Sequence, residues 1–576
     1  MIIEETTPAE AQYLRSLERS RRRHGGVFFT PLSIVSLVVE ESLARPLAVA
    51  SWREDGSPRL RILDPAAGSG RFLLVCLEHL VAAAGRLGYE ASTARSGIVR
   101  RCLVGVERDP QAAAVARIAL GEGADVRVGE ALLGDLVEKG AWDVVVGNPP
   151  YVRSVRLKKD DPDLWRQLKG AFAATSHGEW DLYGAFIERS LDWVAPGGEI
   201  GLVVPSRWLT AAFAGPLRAR LAAARVIRKI VDFGPLQVFP GATTYSMLVF
   251  LAKRCVTAVG SPAGCHSKIT VVGSRVAVGA SAEVVEVQRL VSSHAARPAS
   301  HSSSARTQSC RLAAAGFRLD GYDWCEGTVP LGSLSSRPFL LEVGSRARLL
   351  EVMRAAGPPL ADLARIAKGA GSNADSVFLL DREVETEIED EALVPCLRGR
   401  DVEPYRTTVR CRALLPYHDG RLLAPAEIAA RWPRAFSYLE RCRPVLERRE
   451  SGRFAGPGFY CWGRPQNLRF LLDRAPKIVV PDATREGRAA LDRSGLLVMD
   501  TAYAIRPVKP QRAALPGLLL AVLNSPAVGL WLASTGILLR GGYLRMKTGY
   551  LASLPIPDPT SRQASRLARA ALALAL

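Results

Sequence analysis

The sequence predicts an α/β protein, with an open, mostly parallel sheet in its N-terminal half and a second, mixed α/β domain near its C-terminus. Apolar runs at 60–63, 102–106, 125–128 and 142–146 have the length of buried strands, and helix-forming segments separate most of them. A glycine-rich turn joins the first run to a helix. The 576 residues exceed one typical domain, so two or three domains are expected.

Composition favours a polyanionic partner. The formal charge is +19 and the pI is about 9.8, which is typical of proteins that bind nucleic acid, although an Arg-rich and Ala-rich genome contributes part of that charge. The ten cysteines show no CxxC spacing, so we predict a reduced, cytoplasmic protein without a metal site. We predict no signal peptide and no membrane span, because residues 524–526 interrupt the most apolar stretch, 515–539.

The first strand, 60–63, leads into the turn Asp64-Pro65-Ala66-Ala67-Gly68-Ser69-Gly70 and then into a helix. Strand, glycine-rich turn and helix form the first unit of many nucleotide-binding sheets. Small residues let a ligand lie against the backbone, and the helix presents free N–H groups. The chain has neither GxxxxGK[ST] nor a full GxGxxG, so a dinucleotide is disfavoured, and Asp64 suits a cationic ligand. A plain βα turn is the alternative.

Two more strands end in acidic residues. Glu107 closes the strand at 102–106, where an acid can accept both hydroxyls of a ribose. Glu130 follows the strand at 125–128, where it would meet the amino edge of an adenine or simply cap the next turn. Upstream, Thr30 is predicted to be the N-cap of a helix over 32–43, with a ligand role in addition.

The fourth strand, 142–146, leads to Asn148-Pro149-Pro150-Tyr151. Asn148 offers a side-chain oxygen that accepts a hydrogen bond from an amine. The prolines fix their own φ, and the residue before each is kept out of the helical region, so this segment is a stiff row of acceptors. Tyr151 offers a flat face for a planar ring. The four strands thus place Asp64, Glu107, Glu130 and Asn148 at one sheet edge, where ligands bind in such folds.

The remaining N-terminal strands are predicted at 199–205, 226–233 and 245–251, which brings the sheet to seven strands. A Gly197-Gly198 turn precedes the first of them, and a helix over about 208–224 follows it. The loop that joins the last two strands holds Phe239, which is either a second aromatic wall of the site or a loop anchor.

The C-terminal part begins after a segment with little to bury. We predict a catalytic domain over 1–253, a partly flexible linker over 254–337 and a second domain over 338–576. The second domain mixes arginines with aromatics such as Tyr405 and Trp462, a composition that fits both a nucleic-acid surface and an ordinary core.

In order and spacing, these motifs over 25–251 resemble the catalytic domain of S-adenosylmethionine-dependent DNA adenine-N6 methyltransferases of the gamma class. The match is similar to the TaqI-like and Eco57I-like restriction–modification methylases, and residues 181–183 with 186–188 look like the latter. Residues 363–560 resemble the TaqI-like C-terminal specificity domain through 397–402, 476–480 and 554–557. The resemblance implies a Rossmann-like, seven-stranded methyltransferase sheet followed by a target-recognition domain.

The resemblance also implies roles for the residues that match. Thr30 and the turn 64–70, including Asp64, Ala66, Gly68 and Gly70, would surround the methionine part of S-adenosylmethionine. Glu107 would take its ribose and Glu130 its adenine amine. Asn148 would border the cofactor and, with Pro149 in the 148–151 motif, hold the target N6, while Tyr151 and Phe239 would sandwich the flipped base. Glu130 stands where the family usually has Asp, and only some 25 residues precede the first motif, too few for a fused nuclease.

We therefore expect a site-specific DNA adenine methyltransferase that acts on double-stranded DNA, with a separate restriction endonuclease or defence subunits as further partners. Three alternatives stay open. Protein glutamine methyltransferases also use Asn-Pro-Pro-Tyr; a catalytically silent DNA-binding subunit would keep the basic domain; and cytosine N4 methylation is a related reaction, for which serine is commoner at the position of Asn148.

Overall fold

A nine-stranded sheet forms the centre of the first of two compact units, Met1–Val343 and Gly344–Leu576. The structure, a computed structural model, describes residues 30–234, 236, 238–239, 245–253, 284–292, 322–330, 334–336, 339, 345–508, 514–536, 538–539 and 543–575. Residues 1–29 and most of the predicted linker lie outside the described residues.

The strands of the first unit occur in the spatial order β3-β2-β1-β4-β5-β7-β6-β8-β9. Strands β1 to β5 run parallel, and β7 lies antiparallel between β5 and β6. In chain order the strands are β1 Ile62–Asp64, β2 Leu103–Glu107, β3 Asp125–Val128, β4 Trp142–Gly147, β5 Val194–Pro205, β6 Ile227–Asp232, β7 Ser246–Ala252, β8 Val284–Ser292 and β9 Tyr322–Pro330. The predicted mostly parallel α/β sheet is confirmed in its first seven strands.

Two strands extend the sheet beyond the seven predicted. Strand β8 pairs parallel with β6, and β9 pairs antiparallel with β8. Both lie within the segment 254–337 that composition predicted to be a linker. The apolar alternation at the start of β8, Val-Val-Glu-Val, is short, and its strand partner β6 is remote in sequence, so composition alone gave no reason to pair them.

Helices cover both faces of this sheet. They are α1 Leu32–Val49, α2 Arg71–Arg86, α3 Ala91–Cys102, α4 Pro110–Leu120, α5 Ser154–Asp160, α6 Pro162–Leu168, α7 Leu182–Trp193 and α8 Gly215–Ala224. Along β4, Val144 and Val146 pack into one core with α1 and α2, whereas Val145 packs into the core on the opposite face. Because side chains alternate across a strand, an unbroken valine run marks a strand that is buried on both sides.

Three local predictions were wrong. The helix predicted over 208–224 is only Gly215–Ala224, because two short 3₁₀ turns, Ser206–Leu209 and Ala212–Ala214, precede it. The Gly197-Gly198 pair lies inside β5 rather than in a turn, and Gly197 takes a φ of +85° where the pairing of β5 with β4 is irregular. Thr30 is not a helix cap: Pro31 occupies the N-cap position of α1, and no side chain caps that helix.

The second unit is built from small, mostly antiparallel sheets, and β12 and β21 form a parallel pair. Two four-stranded sheets have the orders β10-β22-β18-β20 and β11-β15-β12-β21, and a three-stranded sheet has the order β19-β24-β23. In chain order its strands are β10 Ala364–Lys368, β11 Leu379–Asp381, β12 Leu393–Leu397, β13 Val402–Glu403, β14 Arg406–Thr407, β15 Cys411–Leu414, β16 Tyr417–His418, β17 Arg421–Leu422, β18 Lys477–Pro481, β19 Ala483–Thr484, β20 Ala490–Asp492, β21 Leu497–Val498, β22 Ala502–Pro507, β23 Leu538–Leu539 and β24 Tyr543–Arg545.

The helices of the second unit are α9 Ser345–Ala355, α10 Leu360–Leu363, α11 Asp375–Phe378, α12 Pro425–Arg431, α13 Pro433–Glu447, α14 Leu468–Leu472, α15 Leu515–Leu523, α16 Pro526–Thr535, α17 Thr548–Ala552 and α18 Arg562–Leu574. Several aromatics that the sequence left ambiguous, including Trp432, Tyr460 and Trp462, are buried in its core. In the described part of the chain no single helix has the length and hydropathy to cross a membrane. Helices α15 and α16 have that length and hydropathy only when they are taken together, and the pair is bent by 69°.

Candidate active site

Four of the predicted site residues lie at the carboxyl edge of the parallel strands. Asp64 is the last residue of β1 and Glu107 the last of β2, while Glu130 and Asn148 follow β3 and β4 within two residues. In the sheet order β3-β2-β1-β4 these four strands are consecutive neighbours. Parallel strands end at the same side of a sheet, so the four side chains line one edge.

The turn after β1 is fixed to the second strand. The Gly68 N–H donates a hydrogen bond of 2.8 Å to Glu107 Oε2, and the Ala67 N–H donates to the Val106 carbonyl at 2.9 Å. Gly70 takes a φ of +83°, and a Cβ there would lie 3.1 Å from Ala116 Cα, so this position favours glycine twice over. The sequence therefore needs its glycines to press the turn against α4 and β2.

Asp64 is the most electrostatically unusual of these residues. Its side chain is 1% exposed, Oδ1 accepts from the Ala66 N–H at 3.1 Å, and Oδ2 accepts no hydrogen bond from any described group. A Cβ on Gly147 would lie 2.6 Å from Oδ1, so only glycine lets β4 approach this closely. Burial raises the pKa of Asp64 to about 8, and the nearby Glu107 carboxylate adds to the shift. Such a carboxyl is suited to accept a cationic donor.

The other two acids keep acceptor sites as well. Glu107 Oε1 accepts from the Asp109 N–H at 2.8 Å, and Glu130 Oε1 accepts from the Leu132 N–H at 3.0 Å. Burial raises the pKa of both carboxyls, and the positive charge of Arg108 opposes the shift at Glu130. Because a carboxylate offers about four acceptor sites, each side chain is held in place and still accepts hydroxyl or amine donors.

Asn148 is oriented by Thr30. The Asn148 Nδ2 donates to Thr30 Oγ1 at 3.0 Å, and the Thr30 carbonyl in turn accepts from Arg71 Nη1 at 2.9 Å. An amide that donates through its nitrogen presents its oxygen on the other side as an acceptor. The Thr30 hydroxyl thus holds the Asn148 amide by a hydrogen bond and does not cap a helix as predicted.

Three aromatic rings surround the next part of the motif. Tyr151 donates its hydroxyl to the Val203 carbonyl at 3.2 Å, which fixes the ring, and burial raises the pKa of its phenol. Phe239 meets it edge-on, with centroids 6.4 Å apart and planes at 89°. Tyr183 packs against Tyr151 at 6.1 Å and 77°. Tyr183 was not predicted as a site residue; the available signal was its place in the segment 181–183, which resembles the Eco57I-like methylases.

The structure therefore brings predicted site residues into three contacts: Gly68 with Glu107, Thr30 with Asn148, and Tyr151 with Phe239. Of these, only the pairing of Tyr151 with Phe239 was predicted. Glu130 joins them through the backbone, because the Gly129 N–H donates to the Glu107 carbonyl at 3.0 Å. Ala66 takes part through its N–H to Asp64, whereas Pro149 and Pro150 shape the chain between Asn148 and Tyr151.

Known proteins share both halves of this chain. Residues 122–239 match the Eco57I restriction-modification methylase family, and residues 394–556 match the TaqI-like C-terminal specificity domain. The resemblance predicted from the motifs is confirmed. The chain is a methyltransferase related to restriction–modification enzymes, and the matched segment contains Glu130, Asn148, Tyr151 and Phe239.

Relatives of this methyltransferase match along most of their length. The type II methyltransferase M.PaeR7I of Pseudomonas aeruginosa is 24% identical over 92% of this chain and 86% of the relative. M.XhoI of Xanthomonas vasicola is 25% identical over 92% of this chain and 91% of its own. The fold of the type IIL restriction-modification enzyme MmeI, solved in complex with DNA, superimposes with a TM-score of 0.60 at 14% identity, covering 98% of this chain and 73% of that one.

Proposed function

We propose that this protein transfers a methyl group from S-adenosylmethionine to the N6 amine of an adenine that is flipped out of double-stranded DNA, as the modification enzyme of a restriction or phage-defence system. The observation that carries the proposal is the Asn148 amide, oriented by Thr30 at the sheet edge beside Tyr151. The relatives of this protein, M.PaeR7I and M.XhoI, are named as type II methyltransferases. The formal charge of +19 favours a polyanionic substrate.

The residues at the sheet edge fit the proposed cofactor. Asp64 Oδ2, a buried oxygen without a hydrogen-bond partner among the described groups, would accept the ammonium of the methionine part, and Glu107 would accept the ribose hydroxyls. Glu130 lies one strand further along, where it would accept the amine of the cofactor's adenine. A Cβ on Gly68 would meet no described atom within 4 Å, so a ligand has room against that backbone.

The chemistry follows from the acceptors of the motif. S-adenosylmethionine, when bound, supplies a methyl group on a sulfonium. The target N6 is a poor nucleophile because its lone pair is delocalised into the ring. Hydrogen bonds from N6 to Asn148 Oδ1 and the Pro149 carbonyl would favour a pyramidal nitrogen and stabilise the positive charge that develops on it. These interactions are stronger in the transition state than in the ground state, which is what lowers the barrier.

Extruding the base costs a few kcal/mol, and stacking on an aromatic ring returns about 1–3 kcal/mol. Tyr151 is fixed by its hydroxyl and by Tyr183, so we assign it the stacking face. The Phe239 ring stands at 89° to the Tyr151 ring, so the two rings cannot both lie parallel to one base in this arrangement, and a full sandwich would need Phe239 to turn.

Phe239→Ala should therefore weaken base extrusion without removing the acceptors of the reaction. We expect the extruded state of the base to be populated three- to tenfold less, because one aromatic contact of about 1 kcal/mol is lost. The measurement is the fluorescence rise of 2-aminopurine placed at the target position when the protein binds. A rise equal to that of the wild type would exclude Phe239 from the base pocket.

Gly68→Ala should weaken cofactor binding while the fold tolerates it. The matched control is Gly140→Ala: the two glycines have φ values of +54° and +66°, and neither Cβ would meet a described atom within 4 Å. Both changes should cost about 1 kcal/mol of stability through backbone strain. Only Gly68→Ala should raise the Kd for S-adenosylmethionine, by about tenfold or more in calorimetry, and equal Kd values for both variants would remove the turn from the cofactor site.

The function itself is tested with labelled S-adenosylmethionine and DNA from a host that lacks methylation. Digestion of the DNA and identification of the labelled nucleoside should give N6-methyladenine. Labelled N4-methylcytosine would keep the site and change the base. Label in protein but not in DNA would contradict the proposal and support glutamine methylation.

A further inference from the structure

Asp500 in the second unit is an acid that the proposed reaction does not use. It lies between β21 and β22, and its side chain is half-buried. No described group donates a hydrogen bond to its carboxylate, and no described cation lies within 4 Å of it. Two neighbouring acids differ: Asp375 accepts from the Ser372 hydroxyl at 2.5 Å, and Asp482 from the Tyr503 hydroxyl at 3.3 Å. Asp500 is therefore the acid of this group that is half-buried and whose carboxylate accepts no hydrogen bond from a described group.

The backbone around Asp500 is rigidly held. The Asp500 N–H donates to the Ala370 carbonyl at 2.8 Å, and the Asp482 N–H donates to the Thr501 carbonyl at 2.7 Å. The Thr501 hydroxyl accepts from the Gly399 N–H at 2.9 Å. A Cβ on Gly371 would lie 2.7 Å from Asp500 Oδ2, so the glycine loop packs directly against the carboxylate. This position is preorganised without help from its own side chain, so the carboxylate is not what holds the turn.

The charges nearby suit an approach to DNA. Lys368 at the end of β10 and the exposed Arg464 lie close enough to lower the pKa of Asp500, although burial and the two neighbouring acids raise it overall. Lys368 Nζ lies 5.9 Å from the centroid of the Tyr503 ring. Cations that flank a carboxylate without pairing with it remain able to contact phosphates and offset the repulsion between that carboxylate and the DNA backbone.

An ionised carboxylate only accepts hydrogen bonds, so its partners on DNA are amines. In the major groove these are N4 of cytosine and N6 of adenine. We propose that Asp500 determines specificity by accepting a hydrogen bond from an exocyclic base amine at one position of the recognition sequence, other than the methylated base, with Lys368 and Arg464 on the adjacent phosphates. This inference rests on the proposed function and adds a residue that selects the target.

The experiment begins with the wild-type recognition sequence, mapped from the sites methylated in DNA of a host without other methylation. Methylation rates are then measured on duplexes in which each cytosine or adenine of that sequence, except the target, is replaced in turn by its analogue without the amine, 2-pyrimidinone or purine. One replacement should slow the wild type by between about fivefold and 100-fold. In Asp500→Ala the same replacement should make no difference.

Asp500→Asn tests the same point with a side chain of equal size. Because an amide also donates, this variant should accept guanine or thymine at that one position, and Asp473→Asn, an exposed acid of the same unit, should leave every preference unchanged. A wild type indifferent to each amine, or an Asp500 variant slowed equally on all duplexes, would overturn the inference. A wild type that methylates no DNA would instead contradict the proposed function.

Discussion

Asn148→Ala is expected to reduce methyl transfer to DNA by at least about 100-fold, while the Kd for S-adenosylmethionine changes by less than about threefold. Removing one preorganised polar group from a transition state typically costs this much. In the proposed reaction the amide oxygen acts on the target amine, whereas the acids at or just after the ends of β1, β2 and β3 would hold the cofactor. Single-turnover transfer of labelled methyl and calorimetric titration of the cofactor measure the two effects separately.

Thr30→Val provides the graded comparison. Valine keeps the shape of threonine and removes the hydroxyl that accepts from Asn148 Nδ2 at 3.0 Å. The amide then loses its orienting partner but not its oxygen, so we expect a loss of about 5- to 30-fold in transfer. If Asn148→Ala keeps near-normal turnover, the acceptor has been assigned wrongly. If Thr30→Val equals wild type, the orientation of the amide does not depend on Thr30.

The sheet and the ends of its strands were predictable from the sequence because their signals are local. Asp64, Glu107 and Asn148 each follow an apolar run directly, and the structure places all three at the same edge. Thr30 was noticed for the wrong reason: Thr-Pro is a strong capping signal, and the competing hydrogen bond comes from a residue 118 positions away. No local pattern contains that contact.

Long-range packing also explains the remaining differences. Tyr183 contacts Tyr151 only because α7 packs beside β5, and β8 joins the sheet only because β6 offers a free edge. In the second domain the sequence left its aromatics open between a core and a surface. The structure places Trp462 against Phe378 and Tyr417, so these rings belong to the core of the second unit.

The second large effect concerns Asp64. As the pH rises, its contribution to folding stability should fall, whereas its contribution to cofactor binding should increase. Its folded pKa of about 8 lies above the ordinary value of 3.8, so the folded protein holds this proton across the range in which the unfolded chain has lost it. The contribution of Asp64 to stability therefore falls as pH rises from about 4 to about 8, and stays low above that. Asp64→Asn removes this penalty and can keep the hydrogen bond from the Ala66 N–H. At pH 8 the ligand-free variant should be more stable by a few kcal/mol in thermal or denaturant unfolding.

Cofactor binding should respond in the opposite direction. An ammonium beside Oδ2 favours the carboxylate, so binding below pH 8 must expel the proton, and affinity should rise between pH 6 and 7.5 by up to about tenfold per unit. Above that range the amine of the ligand itself loses its charge, near pH 7.7–8.0 for an α-amino group.

The Asp64→Asn variant should bind the cofactor about 10- to 100-fold more weakly near pH 7.5, because a charge-assisted hydrogen bond is lost. Its affinity should also not rise between pH 6 and 7.5. A variant that is both more stable and a weaker binder would show that burial of Asp64 serves the ligand at the expense of the fold. Unchanged affinity with the wild-type pH profile would show that the ammonium lies elsewhere.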